Sequence, residues 1–211
     1  HQIEAWKNLL APEPKSVVVT SGTGSGKTEC FLVPLLNSLA EQASAEERAV
    51  GVQALMLYPL NALINSQRER LSDWTAPFGG KIRFALFNGE TPADAQESER
   101  RRFPNEVIDR KRLREEPAPI LVTNITMLEY MLVRFEDRPI LNLSQGKLRY
   151  IILDEAHSYV GSQAAELSLL LRRVMFAFGV RPQDVRFVAT SATIGKQGDP
   201  NTAAGLKTFL S

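Results

Sequence analysis

Short apolar runs alternate along the chain with longer stretches of mixed polarity. The runs are rich in large or β-branched residues, which predicts buried strands at 17–20, 54–58, 82–87, 120–123, 150–153 and 186–189. The stretches between them predict helices over 27–41, 60–74 and 163–178, and a further helix through Met127, Met131 and Arg134. Strands that alternate with helices are typical of a parallel sheet with helices on both faces. We therefore expect an α/β fold whose ligands bind at the carboxyl ends of the strands.

The stretch 97–116 departs from this pattern because it is dense in charge. It holds seven basic and six acidic residues, including Arg100-Arg101-Arg102 and Arg110-Lys111-Arg112. Such a mixture favours a solvent-exposed helix or an insertion. The alternative, which stays open here, is that its arginines contact a phosphate backbone.

The composition fits one globular domain. The chain has 211 residues, of which 44% are hydrophobic and 23% charged, and its net charge of +1 neither favours nor excludes nucleic acid. The single cysteine, Cys30, excludes an internal disulfide and fits a reducing compartment such as the cytoplasm. The longest uncharged run, 49–67, contains Pro59 and several amides, so no membrane span is expected. No signal peptide is visible, although we expect the chain to begin within a longer protein.

A glycine-rich segment lies between the first predicted strand and the first predicted helix. It reads Thr-Ser-Gly-Thr-Gly-Ser-Gly-Lys-Thr over 20–28, with Ser21 where the usual motif has glycine. Glycines let backbone N–H groups reach phosphate oxygens, and the helix N-terminus adds partial positive charge. The segment therefore predicts a phosphate-binding loop made of Gly22, Thr23, Gly24, Ser25, Gly26, Lys27 and Thr28. Lys27 is expected to reach the β- and γ-phosphates, and the Thr28 hydroxyl to bind Mg²⁺.

Two adjacent acids directly follow the predicted strand 150–153. Asp154 is a candidate ligand for Mg²⁺, which prefers carboxylate and water oxygens. Glu155 is the candidate base that orients and deprotonates an attacking water. Lys27, Asp154 and Glu155 are thus the candidate catalytic residues. His157 is expected to link the nucleotide site to a nucleic acid.

In order along the chain, the motifs resemble those of superfamily 2 helicases, and the resemblance spans nearly all residues. Gln2 resembles the glutamine motif that reads adenine, 20–28 motif I, and 58–67 motif Ia. The Gly-Glu-Thr within 88–91 resembles the short element between motifs Ia and Ib, and 123–128 resembles motif Ib. Asp-Glu-Ala-His at 154–157 is similar to motif II, and Ser-Ala-Thr at 191–193 to motif III.

The resemblance implies a RecA-like ATP-binding lobe over 1–211, with ATP and Mg²⁺ as cofactors. It implies nucleic-acid contacts at Pro59, Asn61, Gly89, Thr91, Thr123 and Asn124, and a coupling role for His157, Ser191 and Thr193. A second RecA-like lobe, absent from this sequence, is the implied partner within the same polypeptide. Because that lobe supplies the arginine finger, this lobe alone is expected to hydrolyse ATP barely.

The Tyr-Pro-x-x-Ala-Leu pattern at 58–63 and the DEAH sequence resemble the large helicases typified by Lhr and YprA, which act mainly on DNA. The motifs usual in DEAD-box RNA helicases are not found, so RNA is less favoured. Asn61 and the pair Ile125-Thr126 depart from the family pattern. The alternatives are a duplex translocase that does not unwind, or an ATP-gated clamp. Divergent relatives serve in bacterial anti-phage defence, which leaves defence-system partner proteins open.

Overall fold

The computed structural model describes residues 1–13, 15–22, 24–43, 48–159 and 161–191. Within these residues six strands form one sheet, in the order β1-β6-β5-β2-β4-β3, and every neighbouring pair is parallel. The strands are β1 (Val17–Thr20), β2 (Ala54–Leu57), β3 (Phe84–Phe87), β4 (Ile120–Thr123), β5 (Tyr150–Leu153) and β6 (Arg186–Ser191). The predicted parallel α/β sheet is confirmed.

Helices follow the strands and cover both faces of the sheet. They are α1 (Gln2–Leu9), α2 (Lys27–Gln42), α3 (Asn61–Thr75), α4 (Glu97–Arg102), α5 (Arg110–Glu115), α6 (Ile125–Val133), α7 (Arg138–Leu143) and α8 (Ser162–Ala177). The predicted helices at α2, α3, α6 and α8 agree with these bounds to within one or two residues. The short α7 was not predicted from the sequence.

Alternating side chains divide the strands between two apolar layers. In β5, Ile151 and Leu153 pack into the layer that contains α6, α7 and α8, whereas Tyr150 and Ile152 pack into the layer that contains α2 and α3. All four residues of β5 are buried. A central strand buried on both faces reads as a continuous apolar run, which explains why these strands were visible in the sequence. Cys30 is fully buried on α2, as expected for a core residue.

The charged stretch 97–116 forms two short helices rather than one. Between α4 and α5 the chain turns back to the sheet edge, where Glu106 bridges Phe84 of β3 in parallel. Within this stretch Arg100 pairs with the fully buried Asp109, and Arg112 with Glu116. The stretch therefore covers the free edge of β3, which would otherwise expose unpaired backbone groups.

Parallel register brings the strand ends to one edge of the sheet. Thr20 lies beside Ser191, and Leu57 lies beside both Leu153 and Thr123. Every predicted motif that the structure describes, except Gln2 on α1, lies at or just beyond these ends. No helix in the described ranges is long and apolar enough to cross a bilayer.

Candidate nucleotide and nucleic-acid site

The phosphate loop connects β1 to α2 and is organised around Lys27. The ammonium group of Lys27 donates to the carbonyl oxygens of Ser21 and Gly22, at 3.0 and 2.9 Å. Ser25 donates to the Gly22 carbonyl and shares a hydrogen bond with Ser21. Ser21, which replaces the usual glycine, therefore stabilises the loop through its own hydroxyl.

Gly26 lets α1 approach the loop closely. Its φ of 79° is left-handed, and a Cβ atom there would lie 2.3 Å from the side-chain nitrogen of Gln2. That amide nitrogen donates to the Gly26 carbonyl at 3.2 Å, while Trp6 donates through Nε1 to the Glu29 carbonyl. Gln2 is thus held against the phosphate loop by its side-chain amide.

The loop and the helix behind it fit a nucleotide phosphate. The α2 helix begins at Lys27, so its free N–H groups and its partial positive charge face the loop. At Gly22 and Gly24 the space that a Cβ atom would occupy has no atom within 4 Å. Gly22 and Gly24 thus leave room for phosphate oxygens, whereas the space beside Gly26 is filled by the Gln2 side chain. Thr23 lies outside the described residues.

Asp154 directly follows β5 and is half-buried. Burial raises its pKa above the usual range and neighbouring Glu155 adds to this, whereas a hydrogen bond from Thr190 and the charge of Lys27 lower it. Thr190, fully buried on β6, donates its hydroxyl to Asp154 Oδ1. Burial also raises the pKa of Tyr58 well above its usual range, with Asp154 as the next cause.

The carboxylate of Asp154 and the hydroxyl of Thr28 are oxygen donors of the kind that Mg²⁺ takes when it binds together with a nucleotide. In the described ranges, no three His, Cys, Asp or Glu side chains form a metal-binding group. Mg²⁺ needs no such cage, because it commonly takes one or two protein oxygens and fills its shell with phosphates and water. Asp154 and the Thr28 hydroxyl are the oxygen donors that the sequence predicted. The Thr28 hydroxyl accepts a hydrogen bond from Arg70 on α3, at 2.7 Å.

Glu155 has a backbone conformation that sets it apart. Its φ of 50° makes it the one non-glycine residue with positive φ in the ranges that the structure describes. Left-handed geometry at a non-glycine residue is strained, and such strain concentrates at functional sites. Its Oε2 lies 3.2 Å from His157 Nδ1, but the two atoms are not aligned for a hydrogen bond, so this buried oxygen has no partner among the described groups. An unpartnered carboxylate oxygen can accept a hydrogen bond from a water.

His157 connects the acids to β6. Its Nδ1 lies 3.2 Å from the Ser191 hydroxyl, which joins the predicted coupling residues of motifs II and III. Ser191 is buried, and its carbonyl accepts a hydrogen bond from the Ser21 backbone in the phosphate loop. The third predicted coupling residue, Thr193, lies outside the described residues.

The nucleic-acid candidates cluster at the other end of the same edge, beyond β2, β3 and β4. Pro59, Asn61 and Asn124 line one open cavity of about 300 Å³, together with Leu60 and Tyr159. The side chain of Asn124 donates to Asn61 at 2.7 Å, and its oxygen caps α6 through the Met127 backbone.

Two threonines predicted to contact nucleic acid have hydroxyls engaged within the protein. Thr123 is fully buried and donates to the Phe87 carbonyl. Thr91 donates to the Leu86 carbonyl and accepts from the Asn88 backbone. Thr123 therefore has no exposed side-chain surface to offer a polymer. Gly89, by contrast, is exposed in the turn 88–91 that also contains Thr91.

Sequence patterns missed three residues of the site: Arg70, Tyr58 and Thr190. Arg70 lies eleven residues beyond Pro59 on an amphipathic helix, where an arginine is unremarkable. Tyr58 is the first residue of motif Ia but was given no role at the site, and Thr190 adjoins motif III; their position at a strand end was the available signal. Their contacts with Asp154 depend on strand order, which the sequence does not specify.

The chain is similar to known helicases in sequence and in fold. The family model for DEAD/DEAH box helicases matches residues 1–199. The chain is 26% identical to the Druantia protein DruE of Escherichia coli, over 100% of this chain and 17% of that protein. It is 27% identical to the uncharacterized ATP-dependent helicase YprA of Bacillus subtilis, over 92% of this chain and 22% of that protein. The structure of the DUF1998 helicase MrfA bound to DNA and AMPPNP matches with a TM-score of 0.67 and 26% identity, over 93% of this chain and 24% of that one.

The fold and the site define a nucleoside triphosphatase of the phosphate-loop class. Within that class, the chain belongs to the DEAD/DEAH box helicase family. The expected resemblance to superfamily 2 helicases is therefore confirmed. The chain spans about a fifth of the length of the curated relatives it matches.

Proposed function

We propose that residues 1–211 form the ATP-binding RecA-like lobe of a helicase that couples ATP hydrolysis to movement along DNA. The observation that carries the proposal is the arrangement of Lys27, Asp154 and Glu155 at the carboxyl ends of the strands, with the unpartnered oxygen of Glu155 next to the half-buried Asp154. This is the set of charges that phosphoryl transfer to water requires: a cation on the phosphates, a metal ligand and a base.

In the proposed mechanism each side chain acts at a stated atom. Bound Mg-ATP supplies the phosphates and the charge of the metal ion. Lys27 would exchange the loop carbonyls for phosphate oxygens, and Thr28 and Asp154 would hold the metal ion through their side-chain oxygens. Glu155 accepts a proton from a water at Oε2. Gln2, already held at the loop, hydrogen-bonds the adenine.

His157 and Ser191 carry the change from the nucleotide to the strand contacts. Their hydrogen bond joins the end of β5 to the end of β6, and His157 lies two residues beyond Glu155 in the chain. Pro59, Asn61, Gly89, Thr91 and Asn124 form the proposed grip on a strand, through backbone groups and small polar side chains. Contacts of this kind hold phosphates without reading sequence.

DNA is the proposed polymer, because MrfA, the 26% identical relative, is a helicase whose structure was solved with DNA and AMPPNP. A second RecA-like lobe is the proposed partner, since the chain matches only part of each relative. We place the protein in the cytoplasm, where Cys30 stays reduced. The similarity to DruE supports the further proposal of partner proteins from a defence system.

A strand-displacement assay on the complete protein tests the proposal. We expect release of a labelled strand from a tailed DNA duplex with ATP, no release with AMPPNP, and none from a Glu155→Gln variant. Displacement of a triplex strand without duplex unwinding would indicate a translocase instead. Tight binding of DNA with ATP but neither kind of displacement would indicate the ATP-gated clamp, and would contradict a motor.

A further inference from the structure

The turn after β3 is held in shape by contacts that come from two sides. This turn, Asn88-Gly89-Glu90-Thr91, contains two of the proposed strand contacts. Within it, the Glu90 backbone donates to the Asn88 side chain, and Thr91 closes the turn onto the Leu86 carbonyl. From α3, Asn65 contacts both the Asn88 and the Glu90 side chains.

Arg110, at the start of α5, supports the turn from the other side. Its Nε donates to the Thr91 carbonyl at 2.9 Å, and its Nη2 donates to the Asn88 carbonyl at 3.0 Å. One guanidinium thus spans the first and last residues of the turn. It also lies over the ring of Phe87, the last residue of β3, at 5.4 Å.

The backbone of α5 is fixed to the same segment. The Arg110 backbone N–H donates to the Pro92 carbonyl, and that of Lys111 to the Ala93 carbonyl. Helix α5 starts from Asp109, a fully buried N-cap that accepts from the Arg112 backbone and pairs with Arg100. The base of the Arg110 side chain is therefore anchored before its guanidinium reaches the turn.

A direct grip on phosphate is a poor fit for Arg110. One edge of its guanidinium, formed by Nε and Nη2, already donates to two protein carbonyls, and a charged donor on a carbonyl is a strong hydrogen bond. Other cations of the stretch 97–116 form ion pairs with acids of the protein: Arg100 pairs with Asp94 and Asp109, and Lys111 pairs with Asp94. The charges of 97–116 thus serve internal contacts at these positions.

We infer that Arg110 is a positioning residue for nucleic-acid binding, which holds the 88–91 turn in its strand-gripping shape without touching the strand. The inference rests on the proposed function and deepens it. It also gives the charged stretch 97–116 a role. Helix α5 belongs to the stretch that covers β3, and through Arg110 it holds in one conformation the turn proposed to contact the nucleic acid. A turn ordered in advance loses less conformational entropy when a strand binds.

Salt dependence separates this role from a phosphate contact. Each cation that contacts a phosphate of single-stranded DNA adds about 0.7 to the slope of log affinity against log salt. The neutral groups at Gly89 and Thr91 add nothing to that slope. Loss of a positioning residue should therefore weaken binding while the slope stays at its wild-type value.

The test is the affinity of the complete protein for labelled single-stranded DNA, measured by anisotropy at several salt concentrations. The variants are Arg110→Ala, Arg110→Lys and, as a matched control, Arg102→Ala, which removes an exposed arginine of α4. We expect Arg110→Ala and Arg110→Lys each to weaken binding about tenfold, since lysine cannot span two carbonyls as the planar fork does. The slope and the affinity for a fluorescent ATP analogue should stay unchanged in both. The control should bind DNA within about twofold of wild type, because loss of one exposed charge has a small effect.

Other outcomes overturn the inference in distinguishable ways. A slope reduced by about 0.7 in Arg110→Ala would make Arg110 a phosphate ligand. Unchanged DNA affinity in both variants would show that the 88–91 turn keeps its shape without the Arg110 guanidinium. Loss of nucleotide binding in both variants would show that Arg110 stabilises the whole domain rather than the 88–91 turn alone. If wild type binds no nucleic acid at all, the proposed function fails and this inference fails with it.

Discussion

Asp154 is held at the site at a cost in stability. The carboxylate is half-buried at the end of β5, and its desolvation is the main reason why its pKa is raised. An acid with a raised pKa in the folded state destabilises that state wherever it is ionised, which includes neutral pH. Thr190 and Lys27 offset part of the cost, and a bound metal ion would offset more. Sites that gather charge for catalysis commonly trade stability in this way.

The first prediction is that Asp154→Asn raises the melting temperature of the nucleotide-free protein at pH 7, by about 2–4 °C. Asparagine keeps an oxygen for Thr190 and carries no charge to bury. The gain should shrink as the pH falls below the raised pKa of Asp154 toward the ordinary value of an aspartate, because the folded wild-type protein takes up a proton in that range and the cost disappears. Thermal denaturation from pH 5 to pH 7 measures both effects, with the exposed Asp73→Asn as control. A variant less stable than wild type at pH 7 would contradict this assignment.

Arg70 is a second residue whose charge bears on the metal ion. Its guanidinium donates to the Thr28 hydroxyl, the oxygen proposed to bind Mg²⁺. Coulombic repulsion opposes a divalent cation beside a guanidinium, so Arg70 has to move away from Thr28 when the metal ion binds.

We therefore predict that Arg70→Ala lowers the Mg²⁺ concentration needed for half-maximal nucleotide binding by about two- to fivefold, the effect of one exposed charge. Arg70→Lys, which keeps the charge, should remain close to wild type. Titration of Mg²⁺ against a fluorescent nucleotide makes the measurement. Weaker nucleotide binding by Arg70→Ala in the absence of Mg²⁺ would instead identify Arg70 as a phosphate ligand.

At the scale of elements, the central strands determine how rigidly the site is held. Strands β5 and β2 lie in the middle of the sheet, and all residues of both are buried. Their carboxyl ends lead directly into Asp154 and Tyr58. Since neither strand has a solvent-facing side, a cavity in either one affects packing on which the acids depend.

Leu55→Ala in β2 should lower the free energy of unfolding by about 2–5 kcal/mol, the usual cost of removing a fully buried leucine. The same change at Leu169, which is 62% exposed on α8, should change it by less than about 0.5 kcal/mol. Urea denaturation of the two variants compares them directly. Equal losses would mean that the α8 face is buried in the folded protein.

The elements also show what a sequence can reveal. Strands such as 150–153 and the loop at 20–28 were predicted because their residues carry a local pattern. The division of 97–116 into α4 and α5 was not, because it depends on Glu106, between the two helices, meeting Arg68 of α3 and Phe84 of β3. The hydrogen bond from Arg110 to the Asn88 carbonyl joins residues 22 positions apart, and no local sequence pattern predicts it.

At the scale of the whole molecule, one sheet edge gathers both halves of the proposed activity. The phosphate loop follows β1, the two acids follow β5, and Ser191 is the last residue of β6. The proposed strand-contact turns follow β2, β3 and β4. Hydrogen bonds from His157 to Ser191, and from Ser21 to Ser191, run along the nucleotide end of this edge. The Asp154 backbone donates to the Leu57 carbonyl, and the Tyr58 backbone to the Thr123 carbonyl. These bonds join the two ends, and we propose that a polymer bound at one end alters the geometry of the acids at the other.

The central claim is that this edge couples ATP hydrolysis to a nucleic acid. Its most direct test is the ATPase rate of the complete protein with no polymer, single-stranded DNA, duplex DNA or RNA, beside Glu155→Gln. We predict strong stimulation by single-stranded DNA and loss of turnover in the variant with nucleotide binding retained, because the change removes a base and leaves Lys27 and Asp154 in place. A rate that no polymer raises, in a protein that still binds ATP, would contradict the account.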